Sequence, residues 1–487
     1  MGLLRLLPLL LLALQAFGPR VWAAADANPV LAGGSGSTSR QPGPSFDRPV
    51  ANMPEALRPD FYAGRALAEQ PWIKAPTATD ARDGLGPIYN ARACLACHIR
   101  GGRSRVPDNS GEALFVGPLV KLSRAGANAN TIDPHDGVLA DPVYGEQLQV
   151  RSVALLHQLG KATPTAIAAS GDVAPEAEVR LFWDEQTFQY PDGQQVVLRK
   201  PRLQVTEAAY GDFHPDTRFS LRNAPPIHGA GLLELIPEAD IAANADPDDR
   251  NGDGISGRLN QVWDPRDQAM RSGRFGLKAN RANVDSIVAS AFANDIGISN
   301  PLFPNQPCSS AQTRCNQQAD GNNEDGFELP ADLLLLVANF SRQLGVPRRD
   351  PQQVADTASA APLFEQTGCS QCHQPRWQTA ASSEFPHLGN QTIWPYTDLL
   401  LHDMGDGLAD ERQEFLASGR EWRTPPLWGA GSGLKVNGSG LFLHDGRARS
   451  VEEAILWHDG EARAARQRFI ALPQPQRQAL TAFVDSL

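Results

Sequence analysis

Two copies of a C-x-x-C-H signature constrain this chain more than any other feature: Cys94-Leu95-Ala96-Cys97-His98 and Cys369-Ser370-Gln371-Cys372-His373. Two thiols three positions apart can each form a thioether to a porphyrin edge, and the adjacent imidazole then reaches the iron. A redox dithiol would follow a strand in a βαβ pattern, which neither copy does. A zinc site would need both pairs together and would leave each trailing histidine unexplained. The pattern therefore predicts two covalently bound c-type haems, one on Cys94, Cys97 and His98, the other on Cys369, Cys372 and His373.

The N-terminus predicts the compartment. Met1–Arg5 carries one positive charge, Leu6–Phe17 is an apolar run, and small residues follow through Ala25. This is the layout of a secretory signal peptide cleaved after Ala23. The run is too short to cross the ~30 Å of a bilayer core as a helix. Export to the periplasm is expected. No later segment has the length of uninterrupted apolar sequence that a membrane span needs, so an integral membrane protein is not expected. The 487 residues carry 44 basic and 55 acidic side chains, a net charge of −11 that argues against nucleic acid or anionic lipid as partner.

A chain of this length suggests about three domain-sized units. The segmentation reads as a signal peptide over 1–23, a Gly/Ser/Pro-rich flexible leader over 24–50, and a first haem-binding segment over 51–126. A β-containing insertion follows over 127–220, with Asp192-Gly193 as a hairpin turn between apolar/polar stretches. Residues 221–354 complete the N-terminal haem domain, and 355–487 form a C-terminal haem domain. The fold expected is mainly α, two cytochrome c-like haem domains with long loops and that β-containing insertion.

Cys308 and Cys315 remain after haem attachment. They lie in a polar loop of a chain expected to be exported, where a local disulfide is the favoured reading. Asp249-Arg250-Asn251-Gly252-Asp253-Gly254 follows the opening of a calcium loop, with Asp249, Asn251 and Asp253 as oxygen ligands for one Ca²⁺. Position 12 of such a loop is Asn260 rather than glutamate, and an ordinary Asp/Gly turn is the equal alternative.

The occupant of each sixth iron position separates electron carriage from chemistry. Ser450-Val451-Glu452-Glu453 is a capping box, so a helix is predicted from Val451. Val451, Ala454, Ile455 and His458 then share one face, which makes His458 the favoured axial ligand over a hydrogen-bonded core histidine. His402 and Met404, in Leu401-His402-Asp403-Met404-Gly405, are the rivals.

The run Tyr396-Thr397-Asp398-Leu399-Leu400-Leu401-His402-Asp403-Met404-Gly405 resembles the di-haem oxidoreductase family, whose members are described as peroxidases or thiol oxidoreductases. Trp422–Gly429, Phe442–Arg449, Ala454–His458, Gly231–Glu234, Asp253–Gly257 and Gly273–Gly276 agree, covering roughly 80–487. The family is related to bacterial di-haem cytochrome c peroxidases. That resemblance implies an axial ligand of the C-terminal haem at His458, where the peroxidases more often have methionine. It also implies an acidic residue on the distal side of the first haem; the matching segment Val284–Asn300 offers Asp285 and Asp295 as catalytic acid/base. The Phe-Trp-Asp-Gly-Arg stretch that gives the peroxidases their inter-haem tryptophan is absent.

The expected function is an exported di-haem oxidoreductase that reduces peroxide or a similar small oxidant at one haem. Its electrons would come through the other haem from a small cytochrome or cupredoxin-like donor. An electron-transfer cytochrome without substrate, or a haem-dependent oxygenase of an organic substrate, is the alternative.

Overall fold

The computed structural model describes residues 30–39, 45–78, 82–114, 116–126, 131–154 and 163–487. The expected signal peptide and the first part of the leader lie outside the described residues. Where described, the leader segment is packed: Ala32, Phe46 and Val50 are buried, and Thr38 N donates to Val346 O at 2.8 Å.

The expectation of a mainly α fold is overturned. Helix accounts for 30% of the chain and strand for 18%, spread over several small sheets. Two causes are visible. The longest described helices run 12 residues, so each buries only a short stripe. Many strands are pairs of two to four residues, such as Leu401–Asp403 with Glu421–Arg423, too short for any periodicity to reveal.

Helix α1 (Arg58–Glu69) buries Phe61, Gly64 and Ala68 on one stripe. Strand β1 (Leu119–Arg124) is the centre of an antiparallel sheet, flanked by β2 (Gln147–Leu148) and by β5 (Thr217–Arg222), and lies wholly ahead of the expected insertion. Its alternation does two jobs. Val120 and Leu122 enter a core with Leu148, Val179 and Leu221, while Leu119 and Lys121 face the cavity described below. Between β2 and β5 runs a long hairpin, β3 (Glu178–Gln189) and β4 (Gln195–Thr206), turning at the Asp192-Gly193 step with Gly193 at φ +88°.

The hairpin tip reaches across to the C-terminal unit. Tyr190 Oη donates to Glu452 Oε1 at 2.9 Å, and the Arg477 guanidinium lies 3.9 Å from the Tyr190 ring centroid. Arg477 also pairs with Asp192 at 2.6 Å, which fastens the turn itself.

Helix α2 (Val284–Ala291) starts at Asn283, whose side chain accepts from Ser286 N at 2.9 Å. It runs into a π-helical turn, Phe292–Ile296, that ends at Gly297 with φ +78°. A Cβ at Gly297 would sit 2.7 Å from Ile88 O, so both the dihedral and the contact require glycine. Helix α3 (Ala331–Arg342) follows Pro330 and crosses α1 where a Cβ on Gly64 would lie 2.1 Å from Leu336 O.

Helix α4 (Ala361–Gln366) leads into the second cysteine motif. The chain closes with α5 (Val451–Trp457), α6 (Arg463–Ala471) and α7 (Gln474–Asp485). Phe364, Leu456, Phe469, Leu480 and Phe483 from these helices form a second core. The first core takes in Trp377, Leu388, Ile393 and Trp428 beside Phe61, Phe292 and Phe340, so packing crosses the boundary expected at 354/355.

Candidate functional site

Cys94–Cys97 form a single helical turn, and His98 follows it with its N–H on Cys94 O at 2.9 Å. The His98 ring is fixed by Nδ1, 2.7 Å from Pro225 O. A carbonyl can only accept, so Nδ1 carries the proton and Nε2 keeps its lone pair for a metal. Burial pulls the His98 pKa below its ordinary value, which keeps the ring neutral. The same burial pushes the Cys94 and Cys97 thiols up to about 12, far from the reactive-thiolate range.

The second motif repeats this arrangement. His373 N donates to Cys369 O at 2.9 Å, and His373 Nδ1 lies 3.0 Å from Tyr396 O. Burial lowers the His373 pKa to about 4. His458 is held the same way, with Nδ1 2.6 Å from Ala454 O and its pKa lowered by burial. It stands one residue past the end of α5, at φ −62° and ψ 134°, rather than within the helix. Half of the capping box forms, with Glu453 N donating to Ser450 Oγ at 3.1 Å, while the Glu453 carboxylate reaches past the cap and accepts from Arg449 N at 3.0 Å.

Both motifs, His458 and Asp295 line one continuous cavity of about 520 Å³. The residues present fit two haems. Three neutral imidazoles offer Nε2, and cysteine pairs stand at the wall beside two of them. The half-buried Arg103 and Arg423, each with its pKa lowered to about 10 by desolvation, line the same space and suit propionate carboxylates. Arg423 donates to the carbonyls of Gly276 and Thr424 at 3.0 and 3.1 Å and makes no ion pair among the described residues.

The two acids proposed from sequence separate. Asp295 sits on the π-helical turn in the cavity wall and accepts from Gln147 Nε2 at 2.9 Å. Burial raises its pKa, with Lys121 and Gln147 only partly offsetting this. Asp295 is close enough to Cys94 and Cys97 for its charge to raise both thiols further. Asp285 is turned elsewhere, paired with Arg342 at 2.8 Å and Arg266 at 3.0 Å. Although burial works against its charge, these cations hold it below the ordinary carboxylate range. It is not part of the cavity wall, and its geometry is that of an ion pair tying α2 to α3.

His402 also departs from expectation as a rival ligand. Its Nε2 is 2.8 Å from Asp398 Oδ2 and its Nδ1 is 2.6 Å from Glu461 Oε2, so both nitrogens donate. Cys372, Asp398 and His402 place potential ligand atoms within 4.8 Å of one another, yet an imidazole bonded to a carboxylate at each nitrogen has no lone pair for a metal. Met404, the other rival, lines the cavity, as His402 itself does.

In the Asp/Asn loop, Gly254 N donates to both Asp249 oxygens at 3.2 Å and Asp253 N donates to Asn251 Oδ1 at 2.9 Å. Asn251 Nδ2 donates to Asp253 Oδ2 at 3.2 Å. These are the self-bonded turns that Asp and Asn adopt without a cation. Cys308 and Cys315 stand with Cα atoms 5.8 Å apart and their sulfurs adjoining, the geometry of a disulfide.

Sequence reasoning missed the carbonyls of Pro225 and Tyr396, which orient the proximal rings, and the cations Lys121, Arg103 and Arg423. It also missed Trp422, stacked on His444 at 3.7 Å between ring centroids and approached by Lys278 Nζ at 4.3 Å. The pairing Leu119↔Arg222 that brings β1 and β5 to the cavity joins residues about a hundred positions apart, and no local signal marks it.

A family model described as "Di-haem oxidoreductase, putative peroxidase" matches residues 30–487. No curated protein and no solved structure matches the chain.

Proposed function

The chain belongs to the di-haem oxidoreductase family, and we propose that it is an exported c-type member reducing peroxide, or a similar small oxidant, at the haem of His98. Electrons would arrive through the haem of His373 and His458 from a small cytochrome or cupredoxin-like donor in the periplasm. No described helix is long and apolar enough to cross a membrane.

One observation carries this reading: the cavity wall beside the two cysteine motifs carries different residue sets. The C-terminal site offers a second neutral imidazole, His458, that would close its iron. The first offers a half-buried carboxyl, Asp295, in the cavity wall beside Cys94 and Cys97. A closed iron suits electron storage, whereas an open iron beside an acid suits chemistry.

When bound, haem supplies the redox-active iron at which a small oxidant is reduced. The chain's part is acid–base and positional. Reducing one peroxide to two waters consumes two electrons and two protons. Asp295, its pKa raised by burial, holds a proton at the cavity wall. Gln147 Nε2 fixes Oδ1 at 2.9 Å and leaves Oδ2 as the atom that gives the proton up. His98 and His373 are kept neutral and aimed by Pro225 O and Tyr396 O.

A pyridine haemochrome assay of the purified protein should count two thioether-bound haems. Resonance Raman should find one bis-histidine low-spin haem and one high-spin or weakly ligated haem that alone responds to cyanide and peroxide. If both irons are saturated in every redox state and neither ligand changes the spectra, the protein is an electron carrier and the proposal fails.

A further inference from the structure

The motif around His402 holds a group that the proposed chemistry leaves unused. His402 is buried, with a side chain 3% exposed, and is gripped at both ring nitrogens by Asp398 and Glu461. Each carboxylate is itself locked. Asp398 Oδ1 accepts from Leu400 N at 3.0 Å. Glu461 accepts from Ser256 Oγ at 2.6 Å, Ser256 N at 3.2 Å and Asp403 N at 3.1 Å. The loop from Asp253 to Gly257 thus serves to deliver donors to Glu461. Gly257, at φ +51°, leaves no Cβ where one would come within 2.9 Å of His402 Cε1.

Geometry makes His402 a cation. A ring that meets an acceptor-only carboxylate at each nitrogen must carry two protons. Burial alone would discharge it, yet the charge and the hydrogen bond of Asp398 act to raise its pKa. The remaining charged neighbours are Arg423, which feels Asp398, and Arg258, which feels Glu461. His402 Nδ1 also lies 3.7 Å from Cys372 Sγ, the sulfur expected to carry the C-terminal haem.

The geometry points to the Asp398–His402–Glu461 triad as a positioning device that holds a fixed cation against the Cys372 sulfur and so sets the reduction potential of the C-terminal haem. A positive charge beside the macrocycle stabilises the reduced form, which gains an electron, and the flanking carboxylates temper that effect. The two kinds of side chain therefore have opposite signs. His402→Gln keeps a donor and loses the cation, so the C-terminal haem becomes harder to reduce. Glu461→Gln and Asp398→Asn each remove a negative charge, so it becomes easier to reduce. Unit charges this close, under the effective screening of a protein interior, shift the reduced-to-oxidised ratio on the order of tenfold.

The test is a spectroelectrochemical titration of the holoprotein and the three variants, following the low-spin haem and using the other haem as internal control. Opposite shifts for His402→Gln and Glu461→Gln, with the first haem unmoved, are expected. Shifts of the same sign, or none, would overturn the proposal, because a merely structural triad has no reason to discriminate charge sign. Glu461→Gln is nearly isosteric and carries the test if His402→Gln does not fold. The inference rests on haem attachment at Cys372 but not on peroxide chemistry. A haem-free peptide around Cys369 and Cys372 in mass spectrometry of the digested holoprotein would defeat both that attachment and this inference. Two haems without peroxide turnover would defeat only the proposed substrate.

Discussion

Replacing Asp295 by asparagine tests the proposed chemistry most directly, because the substitution changes the proton and the charge while keeping the volume. Oδ1 of the asparagine can still accept from Gln147 Nε2, the bond seen at 2.9 Å, so the side chain keeps its place. The burial that disfavours a carboxylate at this position disappears. Folding stability should therefore stay within about 1 kcal/mol of the parent or rise. Turnover should not survive. A positioned general acid contributes roughly 10²–10⁴-fold in rate, equivalent to about 3–5 kcal/mol of barrier. The pH dependence has a definite sign. A carboxyl whose pKa is raised in the folded state is protonated below that pKa, so the parent's rate should fall as pH climbs through it. The ionised form also costs folding free energy above that point, and the variant should lose both dependences. The assay is steady-state peroxide reduction with a reduced small cytochrome as donor, from acid to neutral pH, with thermal melting and haem spectra as controls. A variant with both haems in place and the parent's rate and pH profile would refute the role of Asp295.

Other consequences are as specific. His458→Ala should abolish the low-spin signature of the C-terminal haem in Raman and electron paramagnetic resonance spectra and leave the first haem unchanged; a histidine–methionine low-spin signature in its place would show that Met404 can take up the iron. Gly64→Ala places a Cβ 2.1 Å from Leu336 O, so α1 and α3 must separate, at about 1–3 kcal/mol in urea denaturation. Arg477→Ala removes the 2.6 Å pair with Asp192 and the cation over Tyr190, and should make the β3–β4 hairpin cleavable in limited proteolysis before the rest of the chain. Serine at both Cys308 and Cys315 should lower stability by about 2 kcal/mol if the pair is bonded, as expected for closing so short a loop, and should leave the haem spectra intact.

What the sequence made legible was local. Each cysteine motif, the capping box at Ser450 and the hairpin turn at Asp192-Gly193 are decided by residues within a few positions of one another. The sheets were not legible in the same way. Lys121 reaches the cavity only because β1 pairs with β5 across an intervening hairpin, and a two-residue strand such as β2 has no period to detect. Asp285 and Asp295 looked equivalent because type and neighbourhood are all that sequence offers. Their difference comes from the π-helical turn, which sets Asp295 into the cavity wall, and from Arg266 and Arg342, which hold Asp285 outside it.

The rivalry between His402 and His458 shows the same limit more sharply, since both were histidines near one haem motif. What separates them is the partner of Nδ1. Ala454 O, in the last turn of α5, accepts the Nδ1–H of His458 and leaves Nε2 with a lone pair. Glu461, 59 residues away in the chain, and Asp398 accept from both ring N–H groups of His402 and leave it no lone pair. A carbonyl makes a ligand and two carboxylates make a cation. It follows that His402 cannot stand in for His458 when the latter is removed. To reach the iron it would have to break both carboxylate bonds and give up a proton, stranding two buried negative charges. The His458→Ala protein should therefore bind added imidazole at the vacated position. A variant that shows bis-histidine spectra without added ligand would overturn the charge assigned to His402 along with the ligand assigned to the haem.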